Sequence, residues 1–192
     1  MYDRRVIGWI TVNAYLFNAS FDDGLTAEIQ VNPEFGSSET ALIEAQKYAE
    51  AIGRLPTVLR SVVERVWIHK GNESPGGGEN FLIHTGRAEN YIARGVLEEA
   101  FVHEAAHGLL DAAHASAPAW LAAQSADPTF ISTYEREFLN SEDIAESFLA
   151  YLAVRYRSDR ISQSLANTIL LTIPNRIAYF DDHVPKLTGT GW

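Results

Sequence analysis

The first ninety residues carry the short-period apolar pattern of strands, with one helical interruption. Val6–Phe17 (VIGWITVNAYLF) is rich in β-branched and aromatic residues and predicts a strand. Thr26–Asn32 predicts a second, across the turn Asp22-Asp23-Gly24. Ser38–Ile52 places Leu42, Ala45 and Ala49 at helical spacing behind Ser38 as N-cap, with Gly53 ending the helix. Val62–His69 (VVERVWIH) and Phe81–His84 predict two further strands. Between them lies GNESPGGGEN, which lacks the Lys-Ser/Thr of a phosphate-binding loop and predicts a mobile connection.

From Arg94 onward the period is helical. Gly95–Ala113 predicts a long helix; Pro118–Ala126 and Pro128–Phe138 each open on a proline suited to a first turn. Another helix runs from the cap Asn140-Ser141 to about Arg157, and Ile161–Ile173 is ended by Pro174. A sheet-rich half (1–92) followed by a helical half (93–192) predicts a single α+β domain over residues 1–192: a small mixed sheet with a backing helix, then a helical C-terminal half, with a cleft between the halves.

Length and composition agree: 192 residues, 46% hydrophobic and 21% charged, suit one globular domain. Fifteen Lys and Arg against 25 Asp and Glu give −10 at pH 7, a sign that repels phosphate backbones and anionic lipid, so neither nucleic acid nor membrane is an expected partner. No run approaches the roughly 18 apolar residues of a membrane-spanning helix. Arg4 and Arg5 before an apolar stretch loosely suggest a leader peptide, but Asp3, Thr11 and Asn13 interrupt that pattern and favour the strand. Cysteine is absent, which excludes disulfides, thiolate nucleophiles and cysteine-ligated metal sites. Nothing in the sequence fixes the oligomeric state, and a monomer is the default expectation. Trp9, Trp67, Trp120 and Tyr151 are expected to serve packing, His69 and His84 to be packed or surface histidines, His183 to be solvated, and Leu187–Trp192 to fray.

The predicted long helix contains His103-Glu104-Ala105-Ala106-His107. Residues four apart lie on one helical face, one turn apart. Two imidazoles at that spacing can direct nitrogens to one ion about 2 Å from each, and Glu104 projects beside them, where it can take a proton from water. A catalytic zinc needs a third protein ligand and an open position. Asp111 continues the face but lies about 12 Å along the axis from His103, too far for both to share an ion. His114 misses the metzincin spacing by one residue. The sequence Ser141–Phe148 (SEDIAESF) offers Glu142 and Glu146, again four apart, within a strongly apolar segment. One of them could bind metal while the other accepts a hydrogen bond from a ligating histidine.

These motifs resemble the gluzincins, zinc metallopeptidases whose third ligand is a helical glutamate after HExxH. His103–Asp111 (HEAAHGLLD) is similar to the thermolysin-type active-site helix, and Glu142–Phe148 (EDIAESF) to the catalytic domain of anthrax lethal factor and the Pro-Pro endopeptidases. The resemblance implies a zincin-like fold and peptide or protein substrates, and leans towards a secreted protein. It implies one Zn2+ held by His103, His107 and Glu142, with Glu146 and Asp111 in outer positions and Glu104 as general base. It makes Tyr134, one residue further upstream than the lethal-factor pattern, the candidate oxyanion donor. It also implies that substrate adds as a strand along the sheet edge at Asn80, Phe81 and Leu82, with GNESPGGG as a flap. Three other classes stay open: a catalytically silent zinc-binding interaction domain, a metal-dependent amidase acting on a non-protein substrate, and a purely structural domain.

Overall fold

The expected Val6–Phe17 strand is broken near its start. In the computed structural model, which describes residues 1–184 and 186–187, the chain opens with a two-residue ladder of β1 (Tyr2–Asp3) and β2 (Gly8–Trp9). The turn between them is held by the Asp3 carboxylate, which accepts the Arg5 amide (2.9 Å) and guanidinium (2.7 Å). Ile7 there takes a φ of +51°. Local polar bonding thus overrides β propensity, and Val6, Ile7 and Trp9 are exposed. Trp9 therefore lies outside the core, edge-on to Trp67 at 5.2 Å, whereas Trp67, Trp120 and Tyr151 are buried as expected.

The main sheet has four strands in the order β3 (Tyr15–Ser20), β4 (Thr26–Val31), β5 (Arg65–His69), β6 (Asn80–His84). β3 and β4 form an antiparallel hairpin, whereas β4–β5 and β5–β6 are parallel, so the sheet is mixed. The β4–β5 crossover carries α1 (Ser38–Gly53) and the short α2 (Thr57–Arg60). Ser37, not Ser38, caps α1: its hydroxyl accepts the Thr40 amide at 3.2 Å. The buried face is Ala41, Ala45, Tyr48 and Ile52, one residue round from the expected stripe, and Leu42 is exposed. That face, with Ile29, Val31, Val66, Ile68, Phe81 and Ile83, makes the core of the first half.

A helix that the pattern does not predict stands before the one expected over Gly95–Ala113. α3 (Thr85–Arg94) precedes it and ends at Gly95, whose φ of +69° makes the left-handed cap. Only Ala88 of α3 is buried, so apolar periodicity could not announce it. α4 (Leu97–Leu110) follows, and its last turn passes into a π-helical turn at Asp111–Ala115.

The chain resolves into two compact units, the first ending at Gly108 and the second beginning at Leu109. The second is helical: α5 (Pro118–Ala126), α6 (Thr133–Glu137), α7 (Asp143–Arg155), α8 (Gln163–Thr172) and α9 (Pro174–His183). Its core gathers Trp120, Phe148 and Tyr151 around Phe180, with ring centroids 5.2–5.3 Å apart. Pro128 does not open a helix; α6 starts at Ser132, where a capping box with Glu135 wins. Pro174 stands just past the end of α8 at Thr172, as expected, and also occupies the first turn of α9. Ser141 does not cap α7, since its hydroxyl turns back to the Phe138 carbonyl and Glu142 takes the cap position. The tail expected to fray lies, from residue 188 onward, outside the described residues. Among the described residues no helix is long and apolar enough to cross a membrane.

The architecture is therefore α+β, with a small mixed sheet and, among the described residues, nine α-helices.

Candidate metal centre

α4 carries the HExxH segment. Glu98 and Glu99 in its first turn complement the helix dipole, and buried Phe101, Val102 and Ala105 fix its rotation. Phe101 packs on Phe81 of β6 and Tyr48 of α1, with ring centroids 5.4 and 6.5 Å away. That rotation leaves His103 and His107 half-buried on another face, with Glu104 only 9% exposed. The Nε2 atoms of the two imidazoles are 3.2 Å apart. Two ligands each about 2.0–2.1 Å from a tetrahedral ion are about 3.3 Å apart, a spacing that this pair matches.

The main chain of this helix is contacted by the Gly-rich connection. The Gly78 amide donates to the Glu104 carbonyl oxygen at 3.0 Å. A Cβ on Gly77 would run into the Glu104 backbone, and one on Gly108 would stand 2.9 Å from the Gly78 carbonyl carbon. Glycine is required at both positions for close approach. The expected mobile connection is, at this point, seated on α4.

The edge expected to receive substrate is partly taken. β6 is indeed the outermost strand of its sheet. However, Phe81 and Leu82 are buried, and both outward main-chain groups of Leu82 pair with Gly76, at 2.8 and 3.1 Å. Asn80 is half-buried.

In the second unit, Glu142 is the N-cap residue of α7 and Glu146 lies one turn on, its amide bonded to the Glu142 carbonyl at 3.0 Å. Both carboxylates are half-buried at the positive end of a helix dipole. Tyr134 is on α6, 47% exposed, with its ring 4.9 Å from that of Phe138. Asp111 opens the π-helical turn, and His114 within that turn bonds the Tyr179 hydroxyl at 2.7 Å.

A buried charge network, with no periodic signature along the chain, joins the starts of these helices. Arg176 of α9 is fully buried and bonds Asp127 (3.0 Å) and Asp143 (2.9 Å), with Glu135 at 3.4 Å. Glu135 adjoins Tyr134, and Asp143 adjoins Glu142. Burial, reinforced by the neighbouring Asp143, pushes the Glu135 carboxyl up to about 8.

A second cluster lies at the ends of β5 and β6. His69 and His84 are packed, as expected, and stack at 5.5 Å. Asp3 stands 3.8 Å from one and 3.6 Å from the other. Arg5 holds the Asp3 carboxyl well below the usual carboxylate range, and burial pushes both imidazoles down. His183 is exposed and stacks on Tyr179.

No protein-family model, curated protein or solved structure matches the chain.

Proposed function

We propose that this chain is a zinc-dependent endopeptidase with a zincin-like fold and a gluzincin-type ligand set. The observation that carries the reading is the 3.2 Å separation of the His103 and His107 Nε2 atoms on the turn that also bears Glu104. The third ligand in this reading is Glu142, a carboxylate of the type that completes two-histidine zinc sites.

Bound there, zinc would supply a Lewis acid that brings the pKa of water towards about 7 and polarises a carbonyl. The protein's own groups do the rest. Glu104 takes a proton from the attacking water and passes it to the departing amine, so that one carboxylate serves both halves of the reaction. Glu146 and Asp111 are the carboxylates that would accept from ligating imidazoles and fix their orientation. The Tyr134 hydroxyl would donate to the developing oxyanion. Peptide or protein substrate pairs with the β6 edge at Asn80–Leu82, where main-chain hydrogen bonds read an extended backbone.

The test is a panel of extended peptides incubated with the purified, zinc-loaded chain. Hydrolysis is expected, lost on chelation and restored by zinc. A zinc-loaded protein that cleaves none of them overturns the assignment.

A further inference from the structure

The connection between β5 and β6 runs along the very edge at which substrate would pair. Because β5 and β6 are parallel, the chain must travel back a full strand length between His69 and Asn80, and no helix does this. Residues 70–79 make the return instead, and bring Gly76 alongside Leu82 in an antiparallel bridge on the outer side of β6. The Gly76 amide donates to the Leu82 carbonyl oxygen (3.1 Å), and the Leu82 amide donates to that of Gly76 (2.8 Å). Two residues later the chain reaches α4, where Gly78 bonds the Glu104 carbonyl oxygen.

We propose that residues 75–78 form an autoinhibitory strap, which occupies the peptide-binding edge of β6 and must leave it before an extended substrate can pair at Leu82. The inference rests on the peptidase reading and concerns the regulation of that site. A strand edge has one set of outward N–H and C=O groups, and at Leu82 the strap uses both. The strap is also built to let go. It offers three successive glycines and no large apolar side chain, Gly77 is exposed, and it is held here by three main-chain bonds. Few buried apolar contacts and high backbone freedom mark a segment that opens locally at low cost. Its length permits the movement: residues 70–79 can span about 33 Å at ~3.3 Å per residue, against about 17 Å for the return along a five-residue strand.

The absence of cysteine from the natural chain allows a clean lock. A Cβ at position 76 would lie 3.4 Å from the Leu82 Cβ, close to the ~3.5–4.5 Å range of disulfides. The double variant Gly76→Cys, Leu82→Cys is therefore assayed oxidised and after reduction with a phosphine that spares zinc. On extended peptides the oxidised form is expected to show at least tenfold lower kcat/KM than the same variant reduced, with equal zinc content in the two forms. Equal turnover in the two forms overturns the strap while leaving the peptidase intact. If neither wild type nor the reduced variant cleaves peptide when zinc-loaded, the peptidase reading fails and the strap falls with it. Should the double variant not fold, Gly76→Pro decides the matter. It removes the donor to Leu82 and is expected to raise kcat/KM at least threefold; unchanged or lower turnover overturns the inference.

Discussion

Gly78 and Glu104 are joined main chain to main chain, the amide of one donating to the carbonyl oxygen of the other at 3.0 Å. The approach is so close that Gly77 has no room for a methyl group against the Glu104 backbone. Gly77→Ala should therefore destabilise the fold by no more than the cost of lifting this segment off α4, about 1 kcal/mol. Gly8→Ala, whose added carbon would meet only the Val6 carbonyl oxygen at 3.6 Å, should stay within about 0.5 kcal/mol. Urea unfolding of the two variants beside wild type measures the difference.

Glu104→Gln removes a proton acceptor while keeping size and hydrogen-bonding capacity. Zinc content should be unchanged, and turnover on any cleaved peptide should fall by about 10²–10⁴-fold, the usual contribution of a general base. Retained hydrolysis in this variant would remove Glu104 from the chemistry.

The Arg176 network predicts a large stability effect far from the imidazoles. Arg176→Met leaves Asp127 and Asp143 buried without their cation and should cost about 3–5 kcal/mol. Thermal unfolding reads this directly. A loss below 1 kcal/mol would mean that the carboxylates find other partners.

Glu135 gives that network a pH dependence with a definite sign. Its folded-state pKa, about 8, lies above the ordinary value of 4.5, so the folded protein holds a proton that the unfolded chain releases. The contribution is fully present below about pH 4.5 and is lost as pH rises towards 8. Glu135→Gln, which mimics the protonated form, should remove that portion of the slope in unfolding free energy between pH 5 and 8. An unaltered slope would show that Glu135 is ionised in the folded protein.

How much of this was legible beforehand follows from which interactions are local. The strands around Ile29 and Ile68 and the helix around Ala45 were readable, because burial imposes a period on neighbouring residues. The HExxH pair was readable for the same reason, since i, i+4 spacing on a helix fixes proximity. Where non-periodic polar bonds decide, the reading failed. The Asp3–Arg5 turn broke a strand that Val6–Phe17 composition favoured, and the Ser132–Glu135 box moved a helix start away from Pro128. α3 buries too little to be seen, and Pro174 carries the same signal whether it follows one helix or opens the next. The strap could not be anticipated as seated, because the bonds of Gly76 to Leu82 and Gly78 to Glu104 join segments that become neighbours only on folding. The three successive glycines were the available hint, since such a run permits backbone-to-backbone contact as readily as mobility.

The most direct measurement is metal stoichiometry. Purified protein is loaded with zinc, dialysed against metal-free buffer and analysed for bound metal per chain, beside His103→Ala and His107→Ala. One zinc per wild-type chain, with none retained by either variant, is the predicted result. A folded wild-type protein that retains no zinc, or variants that retain as much as wild type, would contradict the proposed centre.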